Sequence, residues 1–271
     1  MDKKNLPLKE IKFIILLLIL TIIFLLLGYN VSRAYINKIN FEKDILEIAN
    51  KNEEKIFTIN NITLFSSADS EAEVRQNSTL NINNLYQYTD IALFLNSVQE
   101  EHTYKNTLKE LYIDNIKIVT APDEGTPSLY YKNIQNFATS KFSEENKIDD
   151  KLQFNISAED NVDLNIPTLY NNCANPITIT YLNNNIKTNY TLPDAFTQIA
   201  YDGSLLKRCG VTLSSIESSI SFDIHITNNL DQQFVCPVYI KIPLEAKDGT
   251  SIYDGKVLLE NKTNYTFYRC N

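Results

Sequence analysis

Apolar and polar positions divide this chain into stretches of different period. From Phe13 to Leu27 only Thr21 is polar, and no charge falls between Lys12 and Arg33. About 20 residues of this kind cross a hydrocarbon core as a helix, so residues 13–32 are expected to form a transmembrane segment. A secretory signal peptide would be shorter and end in a small-x-small cleavage site. Here Tyr29 or Arg33 crowds each small-residue candidate, near Ser32 and Ala34, which favours an uncleaved signal anchor. Lys3, Lys4, Lys9 and Lys12 precede it and predict a cytoplasmic tail at residues 1–12.

Beyond the anchor Val31, Tyr35 and Ile39 recur at i+4, and neither Gly nor Pro occurs between Tyr29 and Ala121. Residues 33–54 are therefore expected to continue the helix as a stalk. After Ile56 the period falls to two. In "SISFDIHIT" Ile220, Phe222, Ile224 and Ile226 face one way and Ser221, Asp223, His225 and Thr227 the other. "CPVYIKIPL" repeats the alternation at Val238, Ile240, Ile242 and Leu244, as do shorter runs at 116–118, 152–156, 162–166 and 177–181. Turn formers at Asn183–Asn185, Asp202–Gly203, Asn228–Asn229, Lys247–Gly249 and Asp254–Gly255 separate the runs. The fold class expected is mainly β: a transmembrane helix and helical stalk followed by one or two antiparallel β-sandwich-like modules. The stretch from Pro122 to Asp150, rich in charge and Pro, places a boundary between modules at 55–148 and 149–271, with one fused sandwich as the nearest alternative.

Charge narrows the partners. The net charge is -8, and with five basic against two acidic residues up to Arg33 the remainder stands near -11. Such a surface repels nucleic acid, whose binding depends on Lys and Arg at the phosphates. The four cysteines, Cys173, Cys209, Cys236 and Cys270, all lie on the far side of the anchor, which suits disulfides in an oxidising compartment. If the strand at 236–244 pairs with "NYTFYRC" about a turn near Tyr253, Cys236 meets Cys270, leaving Cys173 for Cys209.

Catalytic patterns are weak. His102 sits in a polar run and His225 on the polar side of a strand, and neither has a triad around it in sequence. No zinc spacing and no phosphate-binding Gly loop occurs. The carboxylate pairs Glu100–Glu101, Glu144–Glu145 and Asp149–Asp150 read as solvated charges, although paired carboxylates would suffice for a surface hydrolase. In "SAEDNVDLN", Glu159, Asp160, Asp163 and Asn165 are candidate calcium ligands without the Gly and distal Glu of an EF-hand. Tyr130, Tyr131 and Tyr170 could stack on a sugar or fit a partner. No cofactor is expected. The function expected is a binding or structural role at the cell surface, with a cell-envelope protein or glycan as partner and without catalysis; a surface hydrolase and a subunit of a membrane complex are the alternatives.

Overall fold

The computed structural model describes residues 8–51, 56–74, 79–97, 103–159, 163, 165–192, 203–242 and 255–270. The chain divides into two compact units, Met1–Glu54 and Lys55–Asn271.

The first unit is one helix, α1 (Leu8–Lys51), without a break between the expected anchor and stalk. Its described apolar side chains, from Phe13 through Phe24, are exposed on every side of the helix. Over the described residues no helix is long and apolar enough to cross a membrane. The side chains at 14, 23, 25–27, 30 and 31, inside the expected anchor, lie outside the described residues. The one hydroxyl in the apolar run is satisfied internally, Thr21 Oγ1 donating to the Leu17 carbonyl at 2.8 Å.

In the second unit the chain runs through β1 (Phe57–Val74), β2 (Leu80–Ser97), β3 (Leu108–Thr120), β4 (Thr126–Tyr130), β5 (Lys147–Ile148), β6 (Leu152–Ser157) and β7 (Thr168–Tyr170). It continues through β8 (Ile177–Leu192), α2 (Gly203–Arg208), α3 (Leu213–Ile216), β9 (Ser218–Asn228), β10 (Gln233–Ile242), β11 (Gly255–Thr266) and β12 (Tyr268–Arg269). One sheet has the order β11-β1-β2-β8-β4-β5 and the other β12-β10-β9-β3-β6-β7. All pairs are antiparallel except β6 with β7. Inward residues of both sheets form one core: Ile62, Leu93 and Ile179 from the first, Leu111, Phe222 and Ile240 from the second. The alternation in β9 and β10 is observed at Ile220, Phe222, Ile224, Ile226, Val238, Ile240 and Ile242, all buried, while Leu244 lies outside the described residues.

The boundary at 148/149 is corrected. Strand β2 pairs with β8 and β3 pairs with β9, so each sheet draws strands from both sides of it. The stretch after Pro122 is not a linker: β4 and β5 lie within it and pair with β8 and with each other. Neither proposed half could close a sheet or bury its inner face alone, and the fused sandwich is the observed arrangement.

The first sheet outgrows the second. At about 3.3 Å per residue, strands of the length of β1 and β2 run roughly 60 Å, against roughly 36 Å for β9. The surplus face is covered by α2 and α3, whose Leu205, Leu206 and Ile216 pack with Leu80, Leu85 and Ile186 as a second apolar cluster. Gly210, at φ +73°, ends α2 in the left-handed conformation, and the Val211 amide caps the Leu206 carbonyl at 2.9 Å. A hydrogen-bonded seam, Ser66 to Thr89 at 2.8 Å and Gln87 Nε2 to Thr89 Oγ1 at 2.7 Å, lies between the two clusters.

Two turn readings change. Asn183–Asn185 lies within β8, where Asn185 takes φ +56°. Asn84 Nδ2 donates to Asn184 Oδ1 at 2.8 Å and Asn183 Nδ2 to the Glu124 carbonyl at 2.9 Å, so tertiary hydrogen bonds hold these residues in the strand. Gly203 opens α2, while the turn expected at Asn228–Asn229 falls on Asn229 and Leu230, directly after Asn228 ends β9. Turn positions 247–249 and 254, and Val162 and Leu164 of the expected strand at 162–166, lie outside the described residues.

The four cysteines are free, and the expected disulfides are not formed. The strand after β10 crosses to the other sheet, where β11 pairs with β1, and only the short β12 returns to β10. In that register Phe234 faces Arg269, and the Cys270 amide donates to the Gln233 carbonyl at 2.8 Å. Cys270 thus stands three positions away from Cys236 along the ladder; it is exposed while Cys236 points into the core. Cys209 belongs to the second apolar cluster and Cys173 packs against the main core, which separates that pair as well.

Candidate functional site

Two places concentrate polar chemistry. The first is built on the outer face of the first sheet. In the middle of β2, Asp90 points away from the core, and the chain between β4 and β5 folds over it. Lys132, the second residue after β4, reaches under this cover and donates to Asp90 Oδ1 at 2.9 Å and to the Thr139 carbonyl at 2.6 Å. Thr180 Oγ1 and the Ala138 amide donate to the same carboxylate, both at 2.7 Å. Neither charge reaches solvent, with side-chain exposures of 0 % for Asp90 and 3 % for Lys132. Burial pushes the carboxyl up, with Lys132 pulling it back, and pushes the ammonium down against the pull of Asp90. Phe142 closes the cover, packing on Tyr86, Tyr88 and Tyr130 with centroids 5.7–6.4 Å away, and the Lys132 ammonium lies 4.8 Å from its ring centre.

Beside this pair the cover forms a cavity of about 270 Å³ that is partly open to solvent. Its wall is made by Asn133, Asn136, Asn146, Asn165, Lys141, Ser143, Tyr131 and Phe142, with Lys132 at its base. Asn133 is held twice, Nδ2 donating to Asn165 Oδ1 at 3.1 Å and Oδ1 accepting from the Asn136 amide at 3.0 Å. Tyr131 OH donates to the Ile166 carbonyl at 3.0 Å, and burial pushes this phenol up to about 12. Among the described residues the lining is carboxamide and hydroxyl groups, two ammonium groups and two aromatic rings, without a carboxylate. Such groups hydrogen-bond a polyhydroxylated ligand.

The second place is the outer face of the second sheet. Register sets Tyr112 opposite His225 and Asp114 opposite Asp223. The His225 ring stacks on Tyr112 with centroids 4.6 Å apart and planes 9° apart, and Lys151 lies 3.6 Å from the Tyr112 ring centre. His225 Nε2 is 2.9 Å from Asp114 Oδ1, and Asn115 Nδ2 donates to Asp223 Oδ2 at 2.8 Å. Asn115 has φ +52° at a break in the β3 register, a bulge that re-aims its side chain toward β9. Asp114, Asp223 and His225 each offer a ligand atom within 4.8 Å of the others.

The expected site residues fare unevenly. Of the calcium candidates, Glu159 is exposed, and Asp163 Oδ1 accepts from the Asn165 amide and side chain, both at 2.9 Å. Asp160, His102, Glu100 and Glu101 lie outside the described residues. Tyr130 and Tyr131 are buried and not displayed; Tyr131 lines the cavity, and Glu144 accepts from Tyr130 OH at 3.2 Å. Asn165 does reach a polar site, as a wall of the cavity. His225 was visible as an outward strand residue beside Asp223, but its bonded carboxylate partner Asp114 sits on β3, 111 positions away. No protein-family model matches the chain, and no curated protein or solved structure matches it either.

Proposed function

We propose that this chain is a single-pass, membrane-anchored surface protein whose β-sandwich binds a cell-envelope partner through the covered polar cavity, without catalysis. The observation that carries the reading is the cavity lining among the described residues: amides, hydroxyls, two lysines and aromatic faces around about 270 Å³, where a carboxylate-based hydrolase would need acid groups. A glycan fits that lining best, since sugar hydroxyls pair with Asn side chains while a ring face lies on Phe142.

The anchor reading is supported by α1 itself. A helix apolar all round has to be covered by protein or lipid, and the internal bond of Thr21 is what a hydroxyl needs in hydrocarbon. In this reading residues 13–32 cross the bilayer, residues 1–12 remain cytoplasmic, and residues 33–54 form the stalk.

The test is glycan-array binding by the full chain in detergent micelles, alongside Asn133→Ala and Phe142→Ala. Binding of a defined envelope glycan, weakened about tenfold by either change, is expected. Hydrolysis of an array sugar, or binding indifferent to both changes, would overturn the cavity reading. Extraction of the chain from membranes by alkaline carbonate would overturn the anchor.

A further inference from the structure

We infer that Asp114, Asp223 and His225 form a binding site for a first-row divalent cation of the zinc type, on the face of the second sheet and independent of the cavity.

The register creates the need. Asp114 and Asp223 are directly opposite on β3 and β9, a placement in which like charges repel. A cation between them converts that repulsion into two bonds. His225 lies on the same face two residues along β9, and its Nε2 already faces Asp114 at 2.9 Å. Zinc bonds of about 2.0–2.2 Å to N and O ligands place tetrahedral donors roughly 3.4 Å apart. That spacing falls between the 2.9 Å contact and the 4.8 Å limit of the group. Small side-chain rotations therefore close the site, with both strands staying in register.

The surroundings orient the ligands. Asn115 holds Asp223 Oδ2 and leaves Oδ1 for a metal, and the Tyr112 stack sets the plane of the imidazole. Supporting contacts of this kind are what hold first ligands in place at metal sites. The donor set is one nitrogen and two carboxylates, half-buried. It suits zinc, cobalt or manganese better than calcium, which takes six to eight oxygens. Three protein ligands leave further positions open to water or to an anionic group of a partner.

The experiment is zinc titration of the full chain in micelles by calorimetry, with the exposed Cys270 replaced by Ser so that its thiol does not compete. One equivalent is expected to bind, with affinity reduced at least about tenfold in His225→Gln and in Asp223→Asn, and less in Asn115→Ala. Nitrogen-15 histidine NMR of the same C270S chain supplies a readout that needs no change at the site. Only His102 and His225 contribute, and zinc should shift one imidazole, the one that His225→Gln removes. Absence of binding at millimolar zinc, binding unchanged in both ligand variants, or an unshifted His225 would each overturn the site.

Discussion

Replacing Lys132 by Met tests the central feature of the outer face, its buried ion pair. The change removes the ammonium and leaves the Asp90 carboxylate bonded to Thr180 and Ala138 without its ion-pair partner. Breaking a fully buried pair from one side costs about 3–5 kcal/mol. For a folding unit of this size each kcal/mol moves Tm by about 2–4 °C, so a fall of roughly 6–20 °C is expected. The pair is not thereby a net stabiliser. The raised Asp90 carboxyl binds protons more readily folded than unfolded, so its share of the stability is complete below its ordinary value of 3.8 and is lost as pH rises through the folded value. Lys132 runs the other way: its share is complete above 10.5 and is lost as pH falls through its lowered value. At neutral pH the ionised pair thus carries a desolvation cost, and the double change Asp90→Leu with Lys132→Met should recover most of the loss, with a coupling of about 2 kcal/mol or more. Circular dichroism during thermal and urea unfolding of the four chains measures the cycle. A Lys132→Met cost under about 1 kcal/mol, or additivity of the two changes to within about 0.5 kcal/mol, would refute the reasoning.

Other consequences are sharp enough to check. At Gly125, φ is +101° and an added Cβ would sit 2.1 Å from Asn183 Oδ1, whereas Gly210 at φ +73° has open space around it. Gly125→Ala should therefore cost about 2–3 kcal/mol and Gly210→Ala about 1 kcal/mol, and equal urea midpoints would count against the Asn183 contact. Burial pushes the Cys173 and Cys236 thiols up to about 12 and Cys209 to about 11. A charged maleimide should label Cys270 alone in the native chain and all four after denaturation, while a Cys236–Cys270 crosslink in a non-reducing peptide map would contradict the β12 register. Phe142→Ala removes a half-buried ring from its three tyrosines, at a cost of about 2 kcal/mol, and should expose residues 132–146 to limited proteolysis; unchanged cleavage would show that Phe142 does not hold the cover.

The local pattern by itself determined the long first helix, the strand character of β9 and β10 and which of their faces turns inward, because side-chain alternation and local backbone preference act within a few residues. Continuity of helix from the apolar run into the stalk follows from the same short range, with neither Gly nor Pro to end it from Tyr29 onward. Only the tertiary structure decided which strands are neighbours. The pairing of β2 with β8 and of β3 with β9 spans about a hundred residues, and no local period carries that register. Cys236 and Cys270 were separated by a three-position difference in ladder register, and Asn183–Asn185 became strand because partners far along the chain supply its hydrogen bonds. Both polar sites have the same origin. Asp90 meets Lys132 across 42 positions, and His225 meets Asp114 across 111, so their chemistry exists only once the sheets have formed.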